Sequence, residues 1–517
     1  MTRINTNVPS LFARANLERT NKELELRLQR LSTGLRLNRG ADDPAGLIIS
    51  ERIRSDLRGI EQGIKNSNRA SSVIATTEGA LTEVNELLNS IKALVVEAAN
   101  TGAMSSEQIK ANQLQIDSAI DSITRISNTA TFGGLKLLNG ELDYSLSGVA
   151  TSAISRAQIF GASFLGDSAI QVDVAVATSA QTGALYVQGD LSVPVGELVS
   201  STTLRIQGEG GVVDVSFVSG TSFADIVAGV NNLTSQTGVR AELINGNIAS
   251  GMVFKSQEFG SEAFVSVQRV NGPPAAEDSW QTFAFHQNAA VPSTVPFPWG
   301  LIGTTLLEGK NDKGQDVQAL INGRLATGDG LTISVNSPEL SLELLLNEDL
   351  ATDPTAATTT FYITGGGALF QLGPEVTAQQ QVNIGVQSAA AALLGATLVD
   401  GSLQYLNSLK TGEVNSLRTS RIRRDFSIPS QILEQAIDEI SLLRGRLGAF
   451  ERNVLQPNVR SLQSATENLA ASNSVIRDAD FALETSMLTR AQVLASAGTT
   501  VLTLANQQAQ QALQLLG

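Results

Sequence analysis

The segment LSTGLRLNRGADDPAGLIISERIRSDLRG, residues 31–59, joins two helical patterns. Its first residues end a run of leucines at heptad spacing, and its last residues begin a second run of apolar residues at helical spacing. Between the runs, LNRGADDP interrupts the pattern, and Pro44 is acceptable at the start of a helix. The segment therefore predicts two long helices separated by a short break.

The helix before the break is predicted over about Asn16 to Leu35, with a narrow apolar seam. That seam consists of Leu17, Leu24, Leu28, Leu31 and Leu35. The helix after the break extends to about Asn100 and contains apolar positions in alternating steps of three and four. Those positions are Ala70, Val73, Thr77, Ala80, Val84, Leu87, Ile91, Leu94 and Ala98. A third helix is predicted from about Ser105 to Asn128.

The C-terminal region has the same helical character. A heptad seam comprises Leu433, Ala436, Ile440, Leu443, Leu447, Phe450 and Val454. Pro457 predicts a kink or phase shift after it. The last segment has two adjoining apolar stripes, one through Ala491, Leu494, Gly498, Val501, Ala505, Ala512 and Leu515, the other through Leu488, Ala495, Leu502, Ala509 and Leu516. A face this wide needs more than one partner helix.

The middle of the chain alternates apolar and polar residues, as half-buried strands do. Examples are AIQVDVAVA, TTLRIQG, VVDVSFV, AFVSVQRV and LTISVN. One helix, about Phe223 to Gln236, interrupts these strands, so the block from Leu204 to Leu243 has the order strand, strand, helix, strand. We therefore predict an α+β fold with long helical hairpin or coiled-coil ends around a β-rich inserted midsection.

Composition argues against several classes of function. The chain has no cysteine, so disulfides and thiolate metal sites are excluded, and its single histidine, His286, has no adjacent carboxylate cluster. The motifs HExxH, GxSxG and the Rossmann glycine pattern are missing or out of context. The sequence therefore predicts a protein that is not an enzyme and binds no cofactor. The net charge of −14 comes from the middle of the chain and argues against nucleic-acid binding.

Residues 31–59 closely resemble the bacterial flagellin family, and the similarity continues through NTATFGGLKLLNG at 128–140. It returns at LGAFERN, 447–453, and through IRDADFALETSMLTRAQVLASAGTTVLTLANQQAQQALQLL, 476–516. The block from Leu204 to Leu243 also resembles a repeat in the variable midsections of some flagellins. The resemblance covers roughly the first 140 and the last 90 residues of the chain.

The resemblance implies a radial layout of domains in a filament. Residues 1–43 would form an N-terminal inner-tube helix paired with residues 475–517. Residues 44–164 and 365–474 would pair as the outer-tube helical domain, and residues 165–364 would form a variable, surface-exposed β-rich part. Self-assembly residues are then predicted on both tubes. The inner-tube set is Leu17, Leu24, Leu28, Leu31, Leu35, Leu488, Ala491, Leu494, Val501, Leu502, Ala505, Leu513 and Leu516; the outer-tube set is Val84, Leu87, Ile91, Leu94, Ile440, Leu443, Leu447 and Phe450.

The implied function is a structural subunit that polymerises into the extracellular filament used for motility. Its implied partners are other copies of itself, a flagellar export chaperone and export apparatus, and the hook-associated junction and cap proteins. No apolar run is long enough to span a membrane, so no membrane insertion is expected. The first residues lack the form of a signal peptide, and the resemblance implies export without a cleaved signal.

The resemblance also points to a candidate patch for the innate immune receptor that detects flagellins. Detected members carry an Arg and a Glu at two positions of this patch. The aligned residues here are Ser90 and Gln115, with the apolar Leu94 retained, which predicts weak receptor activation.

Three alternatives remain at this point. The heptads could bundle within a soluble monomer, although a helix over residues 483–515 would be about 50 Å long and would carry two apolar faces. An enzyme is disfavoured by the missing catalytic motifs. A hook–filament junction protein has similar ends, and the segment DADFALETSMLTRAQVLASAGTTVL favours the filament subunit.

Overall fold

The computed structural model describes residues 6–164, 169–188, 196–271, 280–285, 297, 299–301, 306–337, 339–353, 357–399 and 401–514. Ten α-helices lie in these ranges: α1 Val8–Thr33, α2 Pro44–Ala99, α3 Ser106–Thr129, α4 Phe223–Asn231, α5 Thr234–Thr237, α6 Glu348–Ala351, α7 Leu417–Arg423, α8 Ser427–Phe450, α9 Gln456–Arg477 and α10 Phe481–Gln514. Helical ends thus surround a β-rich middle, which confirms the predicted α+β fold.

The described strands are β1 Thr131–Phe132, β2 Leu135–Lys136, β3 Tyr144–Ser147, β4 Ile154–Ala162, β5 Ile170–Thr178, β6 Ala184–Val187, β7 Thr202–Gly208, β8 Gly211–Phe217, β9 Val239–Leu243, β10 Met252–Ser256, β11 Phe264–Asn271, β12 Thr282–Phe285, β13 Leu306–Glu308, β14 Asn311–Lys313, β15 Gln318–Ile321, β16 Arg324–Leu325, β17 Thr327–Asp329, β18 Thr332–Asn336, β19 Leu340–Leu346, β20 Thr359–Gly366, β21 Ala368–Gln371, β22 Gln381–Ile384, β23 Thr397–Val399 and β24 Ser402–Gln404. The five strand segments singled out in the sequence correspond to β5, β7, β8, β11 and β18.

The described residues divide into two compact units. The first unit comprises residues 1–71, 371–381 and 451–517, and the second comprises 72–370 and 382–450. The boundary between them falls inside the long helix α2, so the units do not coincide with the domain limits expected from the sequence.

The break in the opening sequence motif lies between α1 and α2. Helix α1 begins after Asn7, whose side chain accepts a hydrogen bond from the Ser10 backbone N–H, and it ends at Gly34 in the left-handed conformation. It starts earlier than the apolar seam, which begins at Leu17. Its N-terminus is set by the cap at Asn7 and by Pro9 in the first turn. Helix α2 then begins at Pro44.

Helix α2 buries most of the expected stripe, but three of the expected positions are replaced by their neighbours. Val73, Thr77, Val84, Ile91 and Ala98 are buried as predicted. The positions between them are Leu81, Leu88 and Val95, each 2% exposed or less, whereas Ala80, Leu87 and Leu94 are only half-buried. Residues at i+3 and i+4 lie on one side of a helix, so the tertiary partner selects between them.

Helix α8 buries the predicted seam from Leu433 to Phe450. A π-helical turn follows at Glu451–Leu455, immediately before Pro457. Because a π turn adds a residue and shifts the helical phase, the next buried position is Leu455 instead of Val454. The predicted phase shift is therefore present.

The first β module is a sandwich of two antiparallel sheets. Their strand orders are β16-β15-β5-β20-β3 and β17-β18-β19-β4. Alternate residues of facing strands fill the core, including Val172 and Val174 of β5 and Leu342 and Leu344 of β19. Because β4 precedes residue 165 and pairs with β19, this module crosses the expected boundary at 164/165.

The second β module has sheets of order β13-β12-β6-β10-β9 and β14-β11-β7-β8, with α4 packed in its core. The helix expected from about Phe223 to Gln236 is divided into α4 and α5. The break lies at Leu233, whose φ of −111° and ψ of 3° depart from helical values. The Asn231 side chain, at the end of α4, accepts from the Ala241 N–H at 2.8 Å and donates to the Ala241 carbonyl at 3.0 Å. His286 lies outside the described residues.

Candidate self-assembly surface

Helices α1 and α10 pack antiparallel within the first unit. Asn7 at the start of α1 donates through Nδ2 to the carbonyl of Ala505, and Arg27 near its end contacts Glu484 at the start of α10. Between these ends, a Cβ built on Gly498 would lie 3.2 Å from Leu17 Cδ1. The two chain ends therefore form one helical pair.

The interface between α1 and α10 uses residues in alternating three- and four-residue steps. On α10 the buried or half-buried positions at this spacing are Glu484, Leu488, Ala491, Ala495, Gly498, Leu502 and Ala505, and Met487 is half-buried as well. On α1 the positions at this spacing are Ser10, Ala13, Leu17, Thr20, Leu24, Arg27 and Leu31, and Leu26, Gln29 and Arg30 are half-buried as well. At Gly498 the absence of a side chain leaves room for Leu17 of α1, which allows close packing there.

A buried ionic cluster closes one end of this interface. The carboxylate of Glu484 accepts from Arg27 Nη1 at 2.8 Å and 3.1 Å and from Arg30 Nη1 at 3.1 Å, and its side chain is 5% exposed. Burial opposes the charged form of Glu484, but the hydrogen bonds from both arginines outweigh this effect and lower the pKa of the carboxyl below its ordinary 4.5. The Glu484 contact raises the pKa of Arg27.

Away from their shared interface, α1 and α10 expose large apolar residues that no described part of the chain covers. Phe12 is 68% exposed, Val501 54% and Leu494 45%. Other members of this surface are Val8, Leu11, Leu28, Phe481, Leu483, Val493 and Leu504. Apolar surface of this extent on adjacent helices is typical of an interaction site.

The predicted inner-tube residues thus fall into two groups. Ala491 and Ala505 are buried, and Leu17, Leu24, Leu31, Leu35, Leu488 and Leu502 are half-buried. Leu28, Leu494 and Val501 are exposed. Leu513 belongs to α10, and Leu516 lies outside the described residues. Phe12 and Leu11 were not singled out in the sequence, although their apolar character next to the start of α1 was visible there.

The predicted outer-tube residues lie mostly in the interior of the second unit. Val84, Ile91, Ile440, Leu443, Leu447 and Phe450 are buried, whereas Leu87 and Leu94 are half-buried. Lys92 Nζ lies 3.0 Å from Glu434 Oε1 and joins α2 to α8, and Asn112 Nδ2 donates to Glu97 Oε2 at 3.0 Å and joins α3 to α2. Buried members of this set cannot touch another molecule directly, so any part they have in assembly is to hold these helices together.

The candidate receptor patch lies on α2 and α3. Ser90 and Gln115 are exposed, and Leu94 is half-buried. Both polar side chains are accessible to a partner in the isolated chain.

The described residues contain no group of three or more acidic, histidine or cysteine side chains placed to hold a metal ion. Within the same residues, no helix combines the length and apolar character needed to cross a membrane.

Paired helical chain ends that leave large apolar side chains uncovered, together with a β-rich middle, are typical of a structural protein. Sequence comparison makes the assignment specific. Residues 4–143 match the bacterial flagellin N-terminal helical region, residues 430–516 the C-terminal helical region, and residues 203–257 the flagellin hook IN motif. Together these matches cover more than half of the chain. The chain belongs to the bacterial flagellin family, and its function is that of a structural subunit of the flagellar filament.

Flagellins of several bacteria are similar to this chain, two of them along almost its whole length. It is 26% identical to a flagellin of Salmonella muenchen and 26% identical to flagellin A of Helicobacter pylori, with 99% of each chain covered. A flagellin of Bacillus subtilis is 42% identical over 139 residues, 27% of this chain and 46% of the relative. Among solved structures, FlgL of Xanthomonas campestris aligns over 81% of this chain and 98% of its own, at 11% identity and a TM-score of 0.26.

Proposed function

We propose that the chain polymerises with copies of itself through the outer face of the α1–α10 pair. The observation that carries this proposal is the set of large apolar side chains left uncovered there, chief among them Phe12, Leu494 and Val501. Full burial of such a side chain is worth about 1.5–3 kcal/mol, so contact with neighbouring subunits would supply a large driving force. Val501 and Leu494 belong to the predicted inner-tube set, and the proposal keeps that role for them.

The radial layout is part of the same proposal. Residues 1–43 and 475–517 line the inner tube, and residues 44–164 and 365–474 form the outer tube. Residues 165–364 contribute the bulk of the outward β modules. The buried outer-tube residues, such as Ile91 and Ile440, stabilise the helices that present the subunit surface, and half-buried Leu87 and Leu94 lie close enough to that surface to contact a neighbour.

An apolar face made for polymerisation must be covered until the subunit is in place. We therefore assign to a flagellar export chaperone the masking of α10 inside the cell, followed by passage through the export apparatus to the growing filament outside. Junction and cap proteins of the same flagellum would meet the two ends of the polymer. The role is structural, without catalysis, a cofactor or nucleic-acid binding.

The second candidate is a hook–filament junction protein, which would join two structures without forming a long polymer. The full-length similarity to flagellins favours the filament subunit. Negative-stain electron microscopy of the purified chain, seeded with short filament fragments, separates the two. Tubular filaments that lengthen with protein concentration are expected. Binding only at fragment ends, with no extension, would instead assign the junction role, and no binding at all would refute assembly.

A further inference from the structure

The apolar part of the α1–α10 interface repeats every seven residues. Small residues recur on α10 at Ala491, Gly498 and Ala505, and leucines recur on α1 at Leu17 and Leu24. If α10 slid along α1 by one heptad, about 10.5 Å at roughly 1.5 Å per residue, leucines would again face small residues. The apolar contacts alone therefore do not select one register.

Glu484 differs from the rest of this repeat. It occupies the same line of α10, seven residues before Ala491, and is 4% exposed. It is the one acidic residue in the α10 sequence, Phe481–Gln514. A slip in one direction would place Ala491 opposite Arg27, and a slip in the other would place residues that precede α10 there. Both slips separate the carboxylate from the guanidinium groups.

The arginines make such a separation unfavourable. Their side chains are 17% exposed, and the Nε atoms of Arg27 and Arg30 already lack a hydrogen-bond partner among the described residues. Losing Glu484 would leave the largely buried Arg30 without a carboxylate acceptor and Arg27 with only Glu23, whose Oε1 lies 3.5 Å from Arg27 Nη2. Removing one partner of a buried ionic cluster costs more than the intact cluster contributes. A buried polar residue at one seam position is an established means of selecting register in helical pairs.

We propose that Glu484, through Arg27 and Arg30, is a positioning residue that favours the observed register of α10 on α1. It acts beside the backbone hydrogen bonds that Arg36 N–H donates to the Arg477 carbonyl and Ala479 N–H donates to the Gly34 carbonyl. The register sets the offset of Val501 and Leu494 on α10 relative to Phe12 on α1. Identical subunits can repeat one contact in a filament only if that offset is the same in every copy. This inference rests on the proposed polymerisation. Within it, Glu484 helps to fix the relative position of the apolar residues on α1 and α10.

The absence of cysteine from the chain permits a direct measurement of register. A Cβ at position 498 would lie 3.8 Å from Leu17 Cβ, which suits a disulfide. The pair Leu17→Cys with Gly498→Cys reports the observed register, and Leu17→Cys with Ala491→Cys or with Ala505→Cys reports the two slips. Intramolecular disulfides are quantified by peptide mass spectrometry of the monomer band from oxidised filaments.

With Glu484 present, the disulfide is expected for the 17–498 pair and not for the slipped pairs. In Glu484→Ala, the slipped disulfides should rise by roughly tenfold or more, and the 17–498 disulfide should fall. Glu18→Ala removes an exposed acid of α1 and is the matched control, with an unchanged pattern. Glu484→Ala that keeps the 17–498 disulfide exclusively would overturn the proposal.

A second variant separates register from affinity. Arg27→Leu, Arg30→Leu and Glu484→Leu together replace the ionic cluster by apolar contacts, which preserves pairing. Filaments of this variant with mixed disulfides support the proposal. The proposal is overturned if filaments of this variant contain the 17–498 disulfide alone. It is also overturned if both this variant and Glu484→Ala fail to assemble. If the unaltered chain fails to polymerise, the proposed function is refuted. The role of Glu484 in register is then tested separately, by measuring the same disulfides in the soluble chain.

Discussion

Gly498 of α10 faces Leu17 of α1 so closely that a Cβ at position 498 would lie 3.2 Å from Leu17 Cδ1. This closeness requires a small residue, and the leucine end is flexible enough to accommodate one methyl group. Gly498→Ala should therefore pair normally, since alanine also favours helix by about 1 kcal/mol. Gly498→Leu should weaken the pair by about 1–3 kcal/mol through overpacking. Sedimentation of assembled protein compares the two, and equal assembly would contradict the close packing.

Val501 and Leu502 are neighbours in sequence with different surroundings. Val501 is exposed, so Val501→Asp should leave the α1–α10 pair intact and block polymerisation. Leu502 is half-buried against α1, so Leu502→Asp should disrupt both. The disulfide between positions 17 and 498 reports pairing, and electron microscopy reports polymer. Thr503→Asp places an acid on another side of the same turn as a control. Filaments of Val501→Asp would remove this residue from the assembly surface.

The ionic cluster at Glu484 makes assembly sensitive to acid. The pKa of this carboxyl is lower in the folded pair than its ordinary 4.5. The ionised carboxylate therefore stabilises the pair fully at pH values above 4.5. The stabilisation is lost as the pH falls through the lowered value. Filaments should therefore dissociate below about pH 4.5, and Glu484→Gln should weaken them at neutral pH and flatten the pH profile. The amount of sedimented protein, measured as a function of pH, tests this prediction. Glu18→Gln is the control and should match the unaltered chain. Identical pH profiles for the unaltered chain, Glu484→Gln and Glu18→Gln would contradict the prediction.

The second β module should be dispensable for assembly. Gln181 and Gln315 exchange two backbone hydrogen bonds of 2.9 Å where the chain leaves the first module and returns. Replacing residues 182–314 by Asn-Gly would close a two-residue hairpin there. We expect filaments of normal length, seen by electron microscopy.

Deletion of residues 165–364 is the informative comparison for that variant. It removes β19 and uncovers Ile154 and Ile159 on β4, at about 1.5–3 kcal/mol for each side chain. It should therefore be less soluble than the shorter deletion. Failure of the shorter deletion alone to polymerise would show that the second module makes subunit contacts.

The exposed polar residues Ser90 and Gln115 should limit recognition by the innate immune receptor for flagellin. They lack the charged groups whose hydrogen bonds are each worth about 1.5–3 kcal/mol. Reporter cells titrated with monomer should need far more of this chain than of a strongly detected flagellin. Ser90→Arg with Gln115→Glu should restore the response, and an equal response from the unaltered chain would refute the prediction.

Much of this architecture follows from local sequence. Apolar spacing located the long helices, alternation located β5, β7, β8, β11 and β18, and Pro457 indicated the phase shift that follows Phe450. These features depend on residues within a few turns or one strand, where capping, proline geometry and periodicity act directly. The flagellin motifs at both ends add family and function, because they are long contiguous matches.

Tertiary structure decided which of several equivalent local patterns is buried. Leu87 and Leu88 follow the buried Val84 by three and four residues, so either could extend its side of α2, and only the neighbouring helices select Leu88 for the interior. The pairing of β4 with β19 across almost two hundred residues likewise extends the first β module beyond the boundary that composition indicated. Glu484 is an ordinary acid in the sequence, and it becomes a buried partner of Arg27 and Arg30 only when the opposite ends of the chain meet. Local periodicity is set by neighbouring residues, whereas burial and charge pairing depend on which distant segment packs against them.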